Sequence, residues 1–141
     1  MSEVAVRKLI DRLQEAMLEF PQLELDTRHY FADGMYAREL FRPAGTTIVG
    51  KVHKKEHFYI VLVGEVTVIS DDNHETIIGP KVLVSKPGTK RAVYAHTDAI
   101  CLTVHRTSFT DLAEVENDLV EADDTSPYLP GNTLKKPEIA P

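Results

Sequence analysis

Turn-forming residues punctuate the middle of this chain at short intervals, and no other feature restricts its fold as much. Between Leu23 and Arg106 the breaks fall at Asp33-Gly34, Pro43-Ala44-Gly45, Gly64, Asp71-Asp72-Asn73, Gly79-Pro80 and Pro87-Gly88. Gly, Pro, Asn and Asp supply the backbone geometries that reverse a chain. The segments between them are short and rich in Val, Ile, Thr and Tyr, residues that suit the pleated surface of a sheet. Strands are expected at 23–26, 35–42, 46–53, 57–63, 65–71, 75–78, 82–84, 91–96 and 99–106. Short strands in succession, with no helices between them, disfavour βαβ units and therefore a dinucleotide-binding fold. They point to an all-β sandwich, jelly roll or barrel.

The flanks read differently. Val6, Leu9, Ile10, Leu13, Met17 and Phe20 recur at spacings of three and four, which places one apolar stripe on a helix over residues 3–20. Ser2 is positioned to cap it and Pro21 to stop it. The stripe fits either the helix's own sheet or a second subunit. A shorter helix is expected from Asp111 to Val120, with Leu112, Val115 and Leu119 inward and Thr110 as cap. The last 21 residues hold four prolines and no periodic apolar pattern, so they form an irregular tail that drapes over the domain or moves freely. The expected organisation is an N-terminal helix (1–22), a β-barrel (23–106), and a short helix with an irregular tail (107–141).

A length of 141 residues fits a single domain, and 43% hydrophobic against 27% charged residues argues against wholesale disorder. No apolar run approaches the roughly 20 residues of a membrane span. The segment Met1–Phe20 is charged throughout and carries no secretory pattern. One cysteine, Cys101, excludes an intrachain disulfide and a cysteine-based zinc cluster, and its apolar strand makes it a core thiol. The expectation is a soluble, cytoplasmic protein without a membrane partner. The net charge of −6 argues against nucleic acid as a partner. The stretch from Gly45 to Arg106 is nevertheless +2, which suggests a local site for an anion.

The segment GTTIVGKVHKKEHFYIVLVG, Gly45 to Gly64, resembles the first motif of the cupin superfamily: Gly, five residues, His, one residue, His, three or four residues, Glu, six residues, Gly. Gly45 and Gly64 stand at its ends and His53 at its second histidine. Lys51 takes the first histidine position and His57 that of the glutamate. The family's second motif carries a glycine and then Pro, one residue, Gly, two residues, His. Gly79 and Gly88 fit its glycines, Lys86 stands at the proline, and Arg91 stands at the histidine. The resemblance covers Met35 to Arg106 and implies an all-β double-stranded β-helix, the RmlC-like cupin jelly roll. Phe58–Ser70 and Ala95–Leu112 also resemble strands of cyclic-nucleotide-binding domains, which share this topology. The Phe-Gly-Glu phosphate cassette of that family is absent between Ile78 and Lys90.

Spacing adds a second line of inference. Lys51 and His53 share a strand face, His57 and Tyr59 share the next, and Arg91 leads a third strand. Turned inward, Lys51, His53, His57 and Arg91 would meet at one mouth of the barrel, with Tyr59 beside them. Such a cationic group suits an anionic small molecule, through a lysine point charge, an arginine fork and a switchable histidine. If histidine protons contribute, binding weakens above pH ~6.5. His53 and His57 could instead hold zinc, iron, nickel, copper or manganese, with His105, or less readily His96, as third ligand. Two neighbouring cations oppose a dication. No nucleophile elbow surrounds Ser70, Ser85 or Ser108.

Three functions remain open. The first is a binding protein for an anionic small molecule. The second is a metal-dependent cupin enzyme of the isomerase, epimerase or dioxygenase-like kind. The third is a structural or interaction protein with a vestigial pocket. Cupin domains often pair, and exposed sheet edges and the helix stripe both need cover, so a homodimer is expected.

Overall fold

A computed structural model describes residues 2–20, 22–71, 73–123 and 125–135. Helix α1 (Glu3–Met17) opens the chain, and its Ser2 Oγ accepts from the Ala5 amide at 3.1 Å. Nine strands follow: β1 (Thr27–Ala32), β2 (Met35–Arg42), β3 (Thr47–Val49), β4 (His57–Val63), β5 (Glu65–Ser70), β6 (Asn73–Ile78), β7 (Lys81–Ser85), β8 (Ala92–Ala95) and β9 (Ala99–Arg106). Helix α2 (Leu112–Leu119) and a small hairpin of β10 (Tyr128–Leu129) and β11 (Thr133–Leu134) complete the described chain. No helix among the described residues is long and apolar enough to cross a membrane.

The strands form two antiparallel sheets, β1-β2-β9-β4-β7 and β3-β8-β5-β6. Alternation sends one set of side chains into the space between them. That set includes Tyr59 and Val61 of β4, Val66 and Val68 of β5, Ile77 of β6, Val93 and Ala95 of β8, and Ala99 and Cys101 of β9. At Gly64 the chain turns with φ +95°, and a Cβ there would lie 2.7 Å from the Cα of Ala99. At Gly79 a Cβ would lie 2.9 Å from the Val61 carbonyl oxygen. Both positions require glycine because backbones approach closely there.

The sequence expectations are revised in four places. The first strand lies at Thr27–Ala32 instead of 23–26, because Asp33 (φ 36°) and Gly34 (φ 74°) close a two-residue hairpin that pairs Ala32 with Met35. The strand expected over 46–53 keeps ladder pairing only at Thr47–Val49. Beyond it, the Gly50 and His53 amides donate to the carbonyls of Arg91 and Thr89, both at 2.9 Å. Helix α2 is capped by Asp111, whose Oδ1 accepts from the Ala113 and Glu114 amides at 3.1 and 3.2 Å, and not by Thr110. Helix α1 ends at Met17, and the proposed stop, Pro21, lies outside the described residues.

Helix α1 lies on its own barrel. Ile10 and Gln14 are buried, Arg7 Nε donates to Asp71 at 2.9 Å, and Lys90 Nζ donates to Asp11 and Gln14 at 2.8 and 2.5 Å. The tail drapes over one barrel mouth. Tyr128 Oη donates to the Leu23 carbonyl at 2.6 Å, and Asn132 Nδ2 donates to Thr27 Oγ1 at 3.2 Å.

Candidate functional site

The inward positions near that mouth are polar. On β2 they are Tyr36, Arg38 and Arg42, interrupted by Leu40; on β9, Thr103 and His105; on β4, His57 and Tyr59. Register brings them together, with Tyr36 opposite His105, Arg38 opposite Thr103 and Thr103 opposite Tyr59. His53 enters from the segment after β3, which bridges to Val120 at the end of α2. Arg91 enters just ahead of β8.

Three imidazoles stack as a cluster. Ring centroids are 4.3 Å apart for His53 and His57, 4.2 Å for His57 and His105, and 5.1 Å for His53 and His105. The guanidinium of Arg91 sits against them. Its Nη1 donates to His57 Nε2 and Ser85 Oγ, each at 3.0 Å, and its Nη2 donates to His53 Nε2 at 3.3 Å. The Tyr59 ring lies under it, 4.3 Å from Cζ.

Because arginine only donates, these contacts assign the histidine tautomers. His57 accepts at Nε2 and therefore carries its proton on Nδ1, which donates to the Lys55 carbonyl at 2.9 Å. His53 likewise accepts at Nε2 and donates from Nδ1 to His105 Nε2 at 3.0 Å. His105 is left with its proton on Nδ1, a buried atom without a partner.

Burial, and then the neighbouring Arg91, hold His57 down to about pKa 4 and His53 well below its ordinary value. His105 falls to about 2, through burial and then His57. The three rings are neutral at physiological pH, so the sequence expectation that histidine protons govern anion binding near pH ~6.5 is revised. Burial also lowers Arg91 to about 10 and raises Tyr59 to about 12.

Beside this cluster is a cavity of about 90 Å³. Among the described residues its charged lining is Arg38, Arg42, Lys51 and Arg91 against a single acid, Glu116 of α2. Glu116 accepts from Lys51 Nζ at 2.7 Å and from Arg38 Nη2 at 3.3 Å. Arg42 has no such partner. It is 7% exposed, and its Nε and Nη1 make no hydrogen bond. The buried Tyr59 hydroxyl is also unpartnered. Unsatisfied donors and surplus charge in a protein interior are costly, and the arrangement favours whatever anion can enter.

Of the residues singled out from sequence, His53, His57, Tyr59 and Arg91 meet in one group, and His105 joins them. Lys51 lines the cavity, but its ammonium turns to Glu116 and the Tyr128 carbonyl. His96 lies apart, bonded to Thr67 Oγ1 at 2.7 Å, and His29 meets the Tyr36 hydroxyl at 2.6 Å. Sequence reading missed Arg38, Arg42 and Glu116. The parity of β2 from Tyr36 onward carried the signal for the two arginines. Nothing local marks Glu116, whose role depends on where α2 docks.

The nitrogens of His53, His57 and His105 lie within 4.8 Å of one another, so this group could hold a metal ion. In the arrangement described, however, the lone pairs of His53 and His57 point at Arg91, and that of His105 accepts from His53. They do not converge on a common point. An ion there would require Arg91 to withdraw and the imidazoles to reorient.

Two sheets closed around this interior make a cupin fold. No protein-family model matches the chain, and no curated protein matches it in sequence. Solved structures do. A cupin superfamily protein from Desulfitobacterium hafniense is similar with a TM-score of 0.52 and 14% identity, over 66% of this chain and 86% of that one. An RmlC-like cupin from Shewanella frigidimarina gives 0.52 and 16%, over 60% and 78%. A DMSP lyase from Ruegeria pomeroyi gives 0.53 and 15%, over 62% and 49%. The chain therefore has the RmlC-like cupin fold. One fold hosts many chemistries, so the likeness carries the architecture and leaves function to the site.

Proposed function

We propose that this cupin-fold chain binds a small anion inside its barrel. The observation that carries the reading is the buried guanidinium of Arg42, which has no carboxylate partner and whose Nε and Nη1 make no hydrogen bond, in a cavity with four cations and one acid among the described residues. Arg91 adds a second buried positive charge, which its histidine partners orient without neutralising. An anion entering the cavity supplies both the charge and the acceptors that the interior lacks.

Titration calorimetry with acetate, nitrate and inorganic phosphate tests this. One site is expected. Binding should weaken about 10–100-fold in Arg42→Gln, since a hydrogen-bonded charge is lost. Lys54→Ala should bind as the parent does, because Lys54 reaches only the Asn117 carbonyl on the outside. Absence of binding by all three anions would contradict the reading.

A metal-dependent enzyme is the second reading, favoured by the proximity of the three histidines. Stoichiometric zinc or nickel binding that survives Arg91→Ala and disappears in His53→Ala would establish it in place of the first.

We also propose a homodimer formed through the outer face of the five-stranded sheet. Register aligns Val84, Phe58 and Val104 in one outward row and Val82, Ile60 and Leu102 in the next. Val82, Val84 and Phe58 are exposed. A second copy related by a two-fold axis presents the same apolar rows.

A further inference from the structure

Resting on the anion-binding reading, we propose that the ligand is a short aliphatic carboxylate. Three observations converge on it. The first is size. A cavity of about 150 Å³ holds the six carbons of benzene, so about 90 Å³ admits about four non-hydrogen atoms. That is too small to enclose a nucleotide or sugar phosphate, and it suits the carboxylate and first carbons of a short acid.

The second observation is the polar end. Arg42 Nε and Nη1 and the Tyr59 hydroxyl are buried and make no hydrogen bond, and Tyr59 and Cys101 are the neighbours of the guanidinium. A planar carboxylate offers two oxygens with several lone pairs, which matches a guanidinium and one hydroxyl. The neighbouring cations are already engaged: Lys51 and Arg38 by Glu116, and Arg91 by His53, His57 and Ser85. The buried donors left over belong to one arginine and one tyrosine, which fits a single carboxylate better than a phosphate with three or four oxygens to satisfy.

The third observation is the apolar part of the wall, which Thr103, Ser126 and Asn132 complete with polar side chains. Leu40, Ile48, Val93 and Val120 line the same cavity and are buried. These side chains offer no hydrogen bond to a second polar group, and an alkyl chain fills the space against them. The ligand thus has one charged head on Arg42 and Tyr59 and an apolar tail of a few carbons.

Calorimetry on the full chain with butyrate, its neutral counterpart butyramide, and inorganic phosphate tests the class. Butyrate is expected to bind at least about tenfold more tightly than either of the others, the loss expected when a charged hydrogen bond is missing or mismatched. Tyr59→Phe removes only the hydroxyl and should weaken butyrate several-fold with the fold retained. Arg42→Gln should weaken it about 10–100-fold. Phosphate binding as tightly as butyrate, still dependent on Arg42, would overturn the carboxylate class and leave the anion reading standing. Butyramide matching butyrate would overturn the role given to charge. If butyrate, acetate, nitrate and phosphate all fail to bind, both readings fall. If butyrate binds but is indifferent to Arg42→Gln and Tyr59→Phe, the placement of the head group is wrong.

Discussion

Arg91 stands where the cupin pattern carries a metal-binding histidine, and its guanidinium meets the lone pairs that a metal would use. The histidines respond by staying neutral, with a consequence for stability. In the unfolded chain each ionises at about pH 6.5; in the native chain His57 ionises at about 4 and His105 at about 2. Between those values the unfolded chain binds more protons, so stability is complete above about pH 6.5 and is lost as pH falls toward 4 and below. Each excess proton costs about 1.4 kcal/mol per pH unit. Thermal melts followed by circular dichroism should show the midpoint falling steeply across that window. A midpoint unchanged from pH 7 to 4 would contradict the neutral, buried cluster. Glu116 supports a second expectation at this scale. As the one acid lining the cavity, it lowers the field felt by an entering anion. Glu116→Gln should tighten binding of acetate or butyrate several-fold by calorimetry, the size expected for one nearby charge in a partly solvated site.

At the scale of elements, the barrel depends on close backbone approaches that a side chain would obstruct. Gly64 combines φ +95° with the backbone of Ala99 against its Cα hydrogen. Gly64→Ala should lower stability by at least about 2 kcal/mol in urea unfolding. Gly50 has an ordinary φ, and a Cβ there would meet only the Arg91 carbonyl at 3.9 Å. Gly50→Ala should stay within about 0.5 kcal/mol of the parent. Equal losses in the two variants would mean that the close approach at Gly64 is not what holds the turn. Both glycines of the first cupin motif were legible in sequence, and so was the inward parity of His57 and Tyr59, because local alternation decides it. The β1 strand was harder to see. TRHYFA lacks a clean alternation, and the Asp33-Gly34 turn was its only local signal. Arg38 and Arg42 were passed over for a similar reason. Their strand was visible, but their meeting with His57 and Arg91 depends on β2 pairing with β9 and β9 with β4, partners far away in sequence. Glu116 was hidden more deeply still, since a helix docking on a barrel mouth leaves no trace in spacing.

At the scale of the whole molecule, the interior is cationic while the chain as a whole carries −6. An acidic exterior around a basic cavity slows the approach of anions at low ionic strength, so selectivity rests on the cavity and not on steering. The outer face of the β7-β4-β9 region carries apolar side chains that register aligns, and a second copy is its proposed cover. Light scattering should report a dimer at micromolar concentration. Val84→Lys, on the exposed edge strand, should yield a monomer with an unchanged far-ultraviolet spectrum. A parent protein that is already monomeric would contradict the dimer and leave the cavity untouched. Arg42 and Arg91 place surplus positive charge inside a cupin barrel. Anomalous diffraction from crystals soaked in bromide measures this most directly. The account predicts a bromide peak within hydrogen-bonding distance of the Arg42 guanidinium. Bromide confined to surface lysines, with none in the barrel, would contradict it.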